Sequence, residues 1–177
     1  MIYYTSDPHF FHENMIRLCD RPFQDVEEMN QVIIERWNNV VKPNDSIYIL
    51  GDFAMRYPDT QSVYKLVEQL NGRKYLITGN HDKLRKDIKF CNYFEYVKNY
   101  DEIVDSGRRV VLFHYPMEDW NGRWRGSYHL YGHIHNSRQC VHGHMENRFN
   151  VCSDENNFTP VTLDQLIIQQ NKGILDV

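Results

Sequence analysis

The sequence predicts a layered α/β (α+β) fold, and three observations point to it. Short apolar runs of strand length alternate with longer segments of helical period in the first half of the chain. Strand-like runs dominate later, which suits a layered arrangement better than a purely doubly wound sheet. Five of the runs stop at a polar or metal-capable residue, as strands do when their C-terminal ends line a shared rim.

The elements follow in order. Ile2–Thr5 is a strand leading into Ser6-Asp7-Pro8-His9. Asp25 to Val41 is a helix, since Val26, Met29, Ile33, Trp37 and Val40 recur at helical spacing. Asp25 with Glu28 resembles a capping box, and Pro43 follows the end. Ile47–Leu50 is a strand running into Gly51-Asp52. Thr60 to Leu70 is a helix with Val63, Leu66, Val67 and Leu70 inward and Asn71-Gly72 as its stop. Tyr75–Thr78 is a strand ending at Gly79-Asn80-His81-Asp82. Asp82 to Phe90 is a short helix with Asp82 as its N-cap, and its Lys83, Arg85, Lys86 and Lys89 form either a solvated face or a phosphate-attracting rim. Asp101–Asp105 and Arg108–Phe113 are strands joined by a Ser106-Gly107 hairpin turn, the second ending at His114. Tyr128–Tyr131 leads into Gly132-His133-Ile134-His135. His142-Gly143-His144 reads as a turn, Arg148–Cys152 as a strand, and Thr162 to Gln170 as a helix.

With 177 residues, no linker and no repeat, residues 1–177 read as one domain. A hydrophobic share of 41% with 14% aromatics excludes a disordered chain. The net charge of −4 argues against a broad basic surface for wrapping nucleic acid, though not against a small phosphate site. No apolar run approaches the ~18 residues of a membrane span, and no secretory signal opens the chain, so the cytoplasm is expected. Cys19, Cys91, Cys140 and Cys152 lack the close pairing of a zinc knuckle and are expected as reduced thiols.

The chemistry lies in Asp7, His9, Asp52, Asn80, His114, His133 and His135, which follow the strand ends. Two carboxylates, one amide and four imidazoles without a thiolate suit manganese, iron, zinc or nickel. Seven donors are too many for one tetrahedral ion and fit two ions sharing a bridge, a role open to a carboxylate such as Asp52. Asp7 and His9 are two apart, so on an extended strand both face one side, and His133 and His135 repeat that spacing. A single histidine carries no such reading; the combination does.

In that order, Asp7-x-His9, Gly51-Asp52, Gly79-Asn80-His81-Asp82, His114 and Gly132-His133-x-His135 resemble the calcineurin-like metallophosphoesterase superfamily. His12-Glu13-Asn14, Asn150-Val151-Cys152 and Pro160-Val161 are similar to its short bacterial and phage members. The resemblance implies two mixed β-sheets packed as a sandwich with helices on both outer faces, an αββα arrangement. It implies one divalent ion held by Asp7, His9, Asp52 and His135 and a second by Asp52, Asn80, His114 and His133, with Asp52 bridging. Manganese is expected first, with iron, zinc or nickel as alternatives. The implied activity is hydrolysis of phosphate esters, phosphodiesters ahead of monoesters, by a hydroxide that the two ions activate. His81 stands beside the pair as general acid, a role suited to imidazole, so His81 and Asp52 are the catalytic candidates.

Substrate contacts are assigned to His12, Trp120, Arg123 and Arg125. The segment from Tyr115 to Gly126 is anchored near the expected metals at both ends, and its Trp and Arg side chains can stack a base and grip a phosphate. A packed surface loop is the alternative. The expected partner is a phosphoester, with nucleotides and oligonucleotides among the candidates; neither a membrane nor an obligate protein partner is called for. Rival functions are a single-strand nuclease, a cyclic-nucleotide phosphodiesterase, a phosphomonoesterase or phosphoprotein phosphatase, and a non-catalytic scaffold. Steep salt dependence on oligonucleotides would single out the nuclease, and the intact ligand set argues against the scaffold.

Overall fold

A computed structural model describes residues 1–137 and 145–175. Its strands are β1 (Ile2–Thr5), β2 (Ser46–Ile49), β3 (Arg73–Ile77), β4 (Tyr96–Lys98), β5 (Tyr100–Asp105), β6 (Arg108–Phe113), β7 (Tyr128–Tyr131) and β8 (Arg148–Asn150). Its α-helices are α1 (Asn14–Leu18), α2 (Val26–Val40), α3 (Thr60–Gln69), α4 (Ile88–Cys91) and α5 (Leu163–Leu175).

Two four-stranded sheets result, ordered β1-β2-β3-β4 and β5-β6-β7-β8. The four strands of the first run parallel, and an antiparallel bridge from Tyr4 to Val161 makes its edge mixed. In the second, the β5–β6 hairpin is antiparallel and β6, β7 and β8 are parallel. Register puts Tyr4, Tyr48, Tyr75 and Tyr96 side by side across the first sheet, with ring centroids 5.8, 4.6 and 5.0 Å apart. This tyrosine row packs with Val110, Leu112, Leu130 and Phe149 of the second sheet in one apolar cluster, which Leu163 and Leu166 of α5 extend. Alternation sends Tyr3, Ile47, Ile49 and Leu76 to the opposite face, where they pack in a second cluster with Met29, Ile33 and Trp37 of α2 and Val63 and Val67 of α3. Over His129 and Arg148 of the second sheet lies the 115–127 loop, whose Trp120 is buried 5.4 Å from the His129 ring and whose Met117 bonds both residues.

Local chemistry explains the helix ends. The Asp25 carboxylate accepts from the Glu28 amide, while the Glu28 carboxylate reaches back to the Gln24 amide, one residue beyond the usual reciprocal partner. Asp59 caps α3 in the same way through the Ser62 amide, and Thr162 and Gln165 cap α5 reciprocally. The segment after Asp82 is not one helix. It divides into a 3-10 turn, Lys83–Lys86, and α4, because Asp87 is extended and caps α4 through the Phe90 amide. Asp82 is not an N-cap either: its carboxylate makes no cap hydrogen bond and is spent on the strand ends described below.

Two elements escaped the sequence reading, α1 and β4. Both are too short to show a period, and β4 passes through Asn99 alone into β5, changing sheets at one residue. Ser106 and Gly107 do form the hairpin turn, with φ of 52° and 81°. Cys19, Cys91 and Cys152 are free thiols; Cys140 and His142-Gly143-His144 lie outside the described residues. No helix among the described residues is long and apolar enough to cross a membrane.

Candidate metal centre

Because β1, β2 and β3 run parallel, the segments that follow them emerge at one edge. Asp7 and His9 donate their backbone N–H groups to the carbonyls of Gly51 and Asp52 (3.0 and 3.1 Å), so the chain beyond β1 runs beside the chain beyond β2. The second sheet meets them there: Ser6 bridges to Cys152, and its carbonyl accepts from the Ser153 amide at 2.8 Å. Gly132 has to be glycine, since a Cβ would collide with the side chains of Ser6 and Asp7. Gly51, at φ 95°, likewise leaves room for Gly79 and His114.

Asp7, His9, Asp52, His133 and His135 all have positive φ, between 50° and 71°. Non-glycine residues seldom adopt this region, and each such residue costs roughly 1–3 kcal/mol, a strain typical of functional sites. The finding corrects the expectation of strand alternation. Asp7 and His9 lie beyond the end of β1 and His133 and His135 beyond β7, so left-handed turns, not a pleat, aim each pair inward.

The side chains converge tightly. Asp7, His9 and Asp52 place one donor atom each within 4.8 Å of one another, as do Asp52, His114 and His133, and Asp52 belongs to both groups. Its Oδ2 is 3.6 Å from His9 Nε2 and 3.7 Å from His114 Nε2, while Oδ1 accepts from the His81 amide at 2.7 Å. Asp7 Oδ2 accepts from the His133 amide at 2.8 Å and from Ser6 Oγ. Asp7 Oδ1, by contrast, is buried with no hydrogen-bond partner among the described residues, 3.9 Å from His9 Nε2 and 3.8 Å from His135 Nε2.

These atoms fit cations. His114 Nδ1 faces the Leu50 carbonyl at 2.7 Å and must donate to it, so in the neutral ring Nε2 carries a lone pair. That lone pair lies 3.0 Å from Asn80 Oδ1, two acceptors that a shared cation reconciles. An orphaned buried carboxylate oxygen asks for the same. The electrostatics agree. Burial first, and then the charge of Asp7, pushes the Asp52 carboxyl up to about 6. Burial, followed by the neighbouring His135 and Arg21, pushes His9 down to about 2. Without a cation the cluster resists its own charges.

Several supporting residues were invisible to sequence reasoning. The buried Arg21 grips Asp154 with two bonds of 2.8 and 2.9 Å and donates to the backbone oxygens of Asp7 and Pro8. Asp154 in turn holds His135 Nδ1 at 2.7 Å, and Asn150 donates to the His135 carbonyl at 2.7 Å. Asp82 accepts from the amides of Asp52, Phe53 and Gly79 at 2.9, 2.8 and 2.7 Å, tying the β2 and β3 exits together. A buried counter-charge has no period or spacing; only the motif fragment Asn150-Val151-Cys152 hinted at this region.

The seven expected ligands are thus brought to one place. His81 stands beside them, its ring 5.7 Å from that of His9, and His12 is buried 5.4 Å from His9, its Nδ1 without a partner among the described residues. The loop candidates are not brought there. Trp120 is buried under the loop, its Nε1 donating to Ser127 Oγ at 3.1 Å. Arg123 bonds the Glu118 carbonyl and stacks over Trp124. Arg125 shares a pocket with Arg108 and Arg109, at the start of β6, whereas His114 follows its end. The physical reason is the outer face of the second sheet, where Trp120 packs on His129 and Met117 bonds both His129 and Arg148, which holds the loop away from the rim.

Comparison with known proteins agrees with this geometry. The family model described as calcineurin-like phosphoesterase matches residues 1–172. An uncharacterised protein of Methanocaldococcus jannaschii is 33% identical, over 97% of this chain and 92% of its own. The gene 66 protein of Mycobacterium phage L5 is 29% identical over 75% of this chain and 76% of its own. A crystal structure of a protein of unknown function from Aquifex aeolicus superposes with a TM-score of 0.77 at 28% identity, covering 96% of this chain and 98% of that one. The chain belongs to the calcineurin-like phosphoesterase family.

Proposed function

We propose that this chain is a phosphodiesterase working with two divalent ions, manganese first and iron, zinc or nickel as alternatives. The observation that carries the reading is Asp52 Oδ2, which lies 3.6 and 3.7 Å from imidazole nitrogens of two different donor groups. Asp7, His9, Asp52 and His135 would hold one ion, and Asp52, Asn80, His114 and His133 the other. When bound, such a pair supplies a water of lowered pKa and neutralises phosphoryl oxygens. The remaining work falls to the chain itself. Asp52 and Asp7 concentrate negative charge where cations are drawn in. His81, held by its own backbone at the Asp52 carboxylate, offers a ring nitrogen to protonate the departing alcohol oxygen. His12 forms part of the wall beside His9.

A diester is favoured over a monoester because Asn80 is exposed and opens sideways into a pocket that can take a second ester arm. The partner is then a small phosphoester, and the cytoplasm is the proposed location. The test is hydrolysis of bis(p-nitrophenyl) phosphate and p-nitrophenyl phosphate with Mn, Ni, Zn, Mg and Fe(II). Turnover of the diester with manganese, abolished by a strong chelator after dialysis, is expected. Turnover of the monoester alone would contradict the diester assignment, and chelator-resistant turnover would contradict the metal one.

A further inference from the structure

Beside Asn80 lies a pocket of about 410 Å³, within the roughly 300–1,000 Å³ of small-molecule sites. Tyr115 and Phe113 form one wall, with ring centroids 5.6 Å apart. Tyr115 also faces the metal cluster: its ring is 4.9 Å from His114 and 4.6 Å from His133, and its hydroxyl is 3.5 Å from Asn80 Oδ1. Arg85 also lines the pocket, the one charged residue to do so among the described residues. Its guanidinium makes no hydrogen bond or ion pair among the described residues, although most arginines described here are paired, Arg21, Arg108 and Arg109 among them. Asn99 completes the lining; its carbonyl oxygen accepts from Thr78 Oγ1 at 2.6 Å, which leaves its NH₂ free to donate.

We propose that this pocket binds the substituent of the substrate beyond the reacting phosphorus, and that Arg85 selects a substituent bearing a second negative charge. The chemistry specifies the occupant more closely: a planar ring against Tyr115 and Phe113, and a phosphate on Arg85, which is a nucleotide arm. Arginine binds phosphate in a forked geometry and aromatic walls accept any base by its face. Among the described residues no carboxylate lines the pocket to repel the anion. The inference rests on the phosphodiesterase reading for its reacting centre, but Arg85 lies outside the ligand set and can be tested separately.

The experiment compares three chromogenic diesters: bis(p-nitrophenyl) phosphate, thymidine 5′-(p-nitrophenyl phosphate), and the latter with a 3′-phosphate. The manganese-loaded enzyme is expected to prefer the 3′-phosphorylated substrate in kcat/KM by about tenfold, the size of one charge-assisted hydrogen bond. Arg85→Ala should remove that preference through KM, Arg85→Lys should restore part of it, and bis(p-nitrophenyl) phosphate should be unaffected by either. Calorimetry with thymidine 3′,5′-bisphosphate should show about tenfold weaker binding to Arg85→Ala. Equal kcat/KM for the two nucleotide esters, or an Arg85→Ala loss shared by all three substrates, overturns the inference and leaves the phosphodiesterase reading standing. If no diester turns over with any metal, that reading fails, and the calorimetry alone decides the pocket: unchanged binding by Arg85→Ala refutes it.

Discussion

His135 Nδ1 and Asp154 Oδ2 lie 2.7 Å apart, and the same carboxylate is held from behind by the buried guanidinium of Arg21. A carboxylate only accepts, so Nδ1 carries the proton and Nε2 is turned, unprotonated in the neutral ring, toward the orphaned oxygen of Asp7. Burial opposes a charge on His135, yet the hydrogen bond to Asp154 leads a set of interactions that raise its pKa to about 10. A bound cation must displace that second proton. Asp154 therefore orients the ligand and makes it a stronger base once the proton is gone.

Asp154→Asn should weaken manganese binding by about 10–100-fold, the usual cost of removing such a partner. Titration calorimetry on the chelator-stripped protein reads the affinity. An unchanged affinity would show that Asp154 serves packing alone.

His81→Ala should lower kcat on a diester by about 10²–10⁴-fold, the usual contribution of general acid catalysis. Manganese stoichiometry should stay the same, since the His81 contact with Asp52 is made by its backbone. The loss should shrink on substrates with an acidic leaving group, which need no proton. An equal loss on p-nitrophenyl and alkyl leaving groups speaks against the role.

Gly132→Ala should damage the site through sterics. The added methyl would land on Ser6 and Asp7 where the two sheets meet, and overpacking of this kind costs about 1–3 kcal/mol. Urea denaturation should show that loss, and manganese affinity should fall with it. Wild-type stability with full metal binding would mean the two sheet edges can separate freely.

His129 links stability to pH away from the metals. It is fully buried, donates from Nδ1 to the Val111 carbonyl (3.2 Å), and accepts at Nε2 from the Met117 amide (3.1 Å). Burial first, then Arg148 nearby, lowers its pKa from 6.5 to about 4 despite the backbone bonds that favour its charge. Tyr131 and Trp120 pack on the ring and offer no counter-charge. A depressed pKa means that the unfolded chain takes up the proton first. The contribution is therefore complete above pH 6.5 and is lost as pH falls toward 4. The total is about 3 kcal/mol at about 1.4 kcal/mol per pH unit. Urea denaturation of metal-free protein between pH 7 and 4 should show a shallower decline for His129→Gln than for wild type. Parallel declines would rule His129 out as the cause.

How far sequence carries can be judged from particular residues. Ile2–Thr5 and Tyr128–Tyr131 coincide with β1 and β7, because apolar runs with abrupt polar ends leave little choice of register. The seven expected ligands lie together for a related reason: each stands within about four positions of the end of a strand whose direction is set by its parallel neighbour. What stayed hidden depends on contacts distant in sequence. Arg21 and Asp154 are 133 positions apart, and no local pattern announces a buried ion pair. Asp82 looked like an N-cap because a cap and a strand-end clamp use the same chemistry, a carboxylate accepting backbone N–H groups. Trp120 and Arg125 follow His114 closely in the chain, but contacts distant in sequence, Trp120 on His129 and Met117 on His129 and Arg148, hold their loop over the second sheet.

The most direct measurement is anomalous diffraction from crystals soaked in manganese. Two peaks about 3.5–4 Å apart, flanking the Asp52 carboxylate and reached by Asp7, His9, His135 on one side and Asn80, His114, His133 on the other, are expected. Both peaks should weaken in Asp52→Asn. A single peak, or two that Asp52 does not touch, would contradict the shared-carboxylate centre.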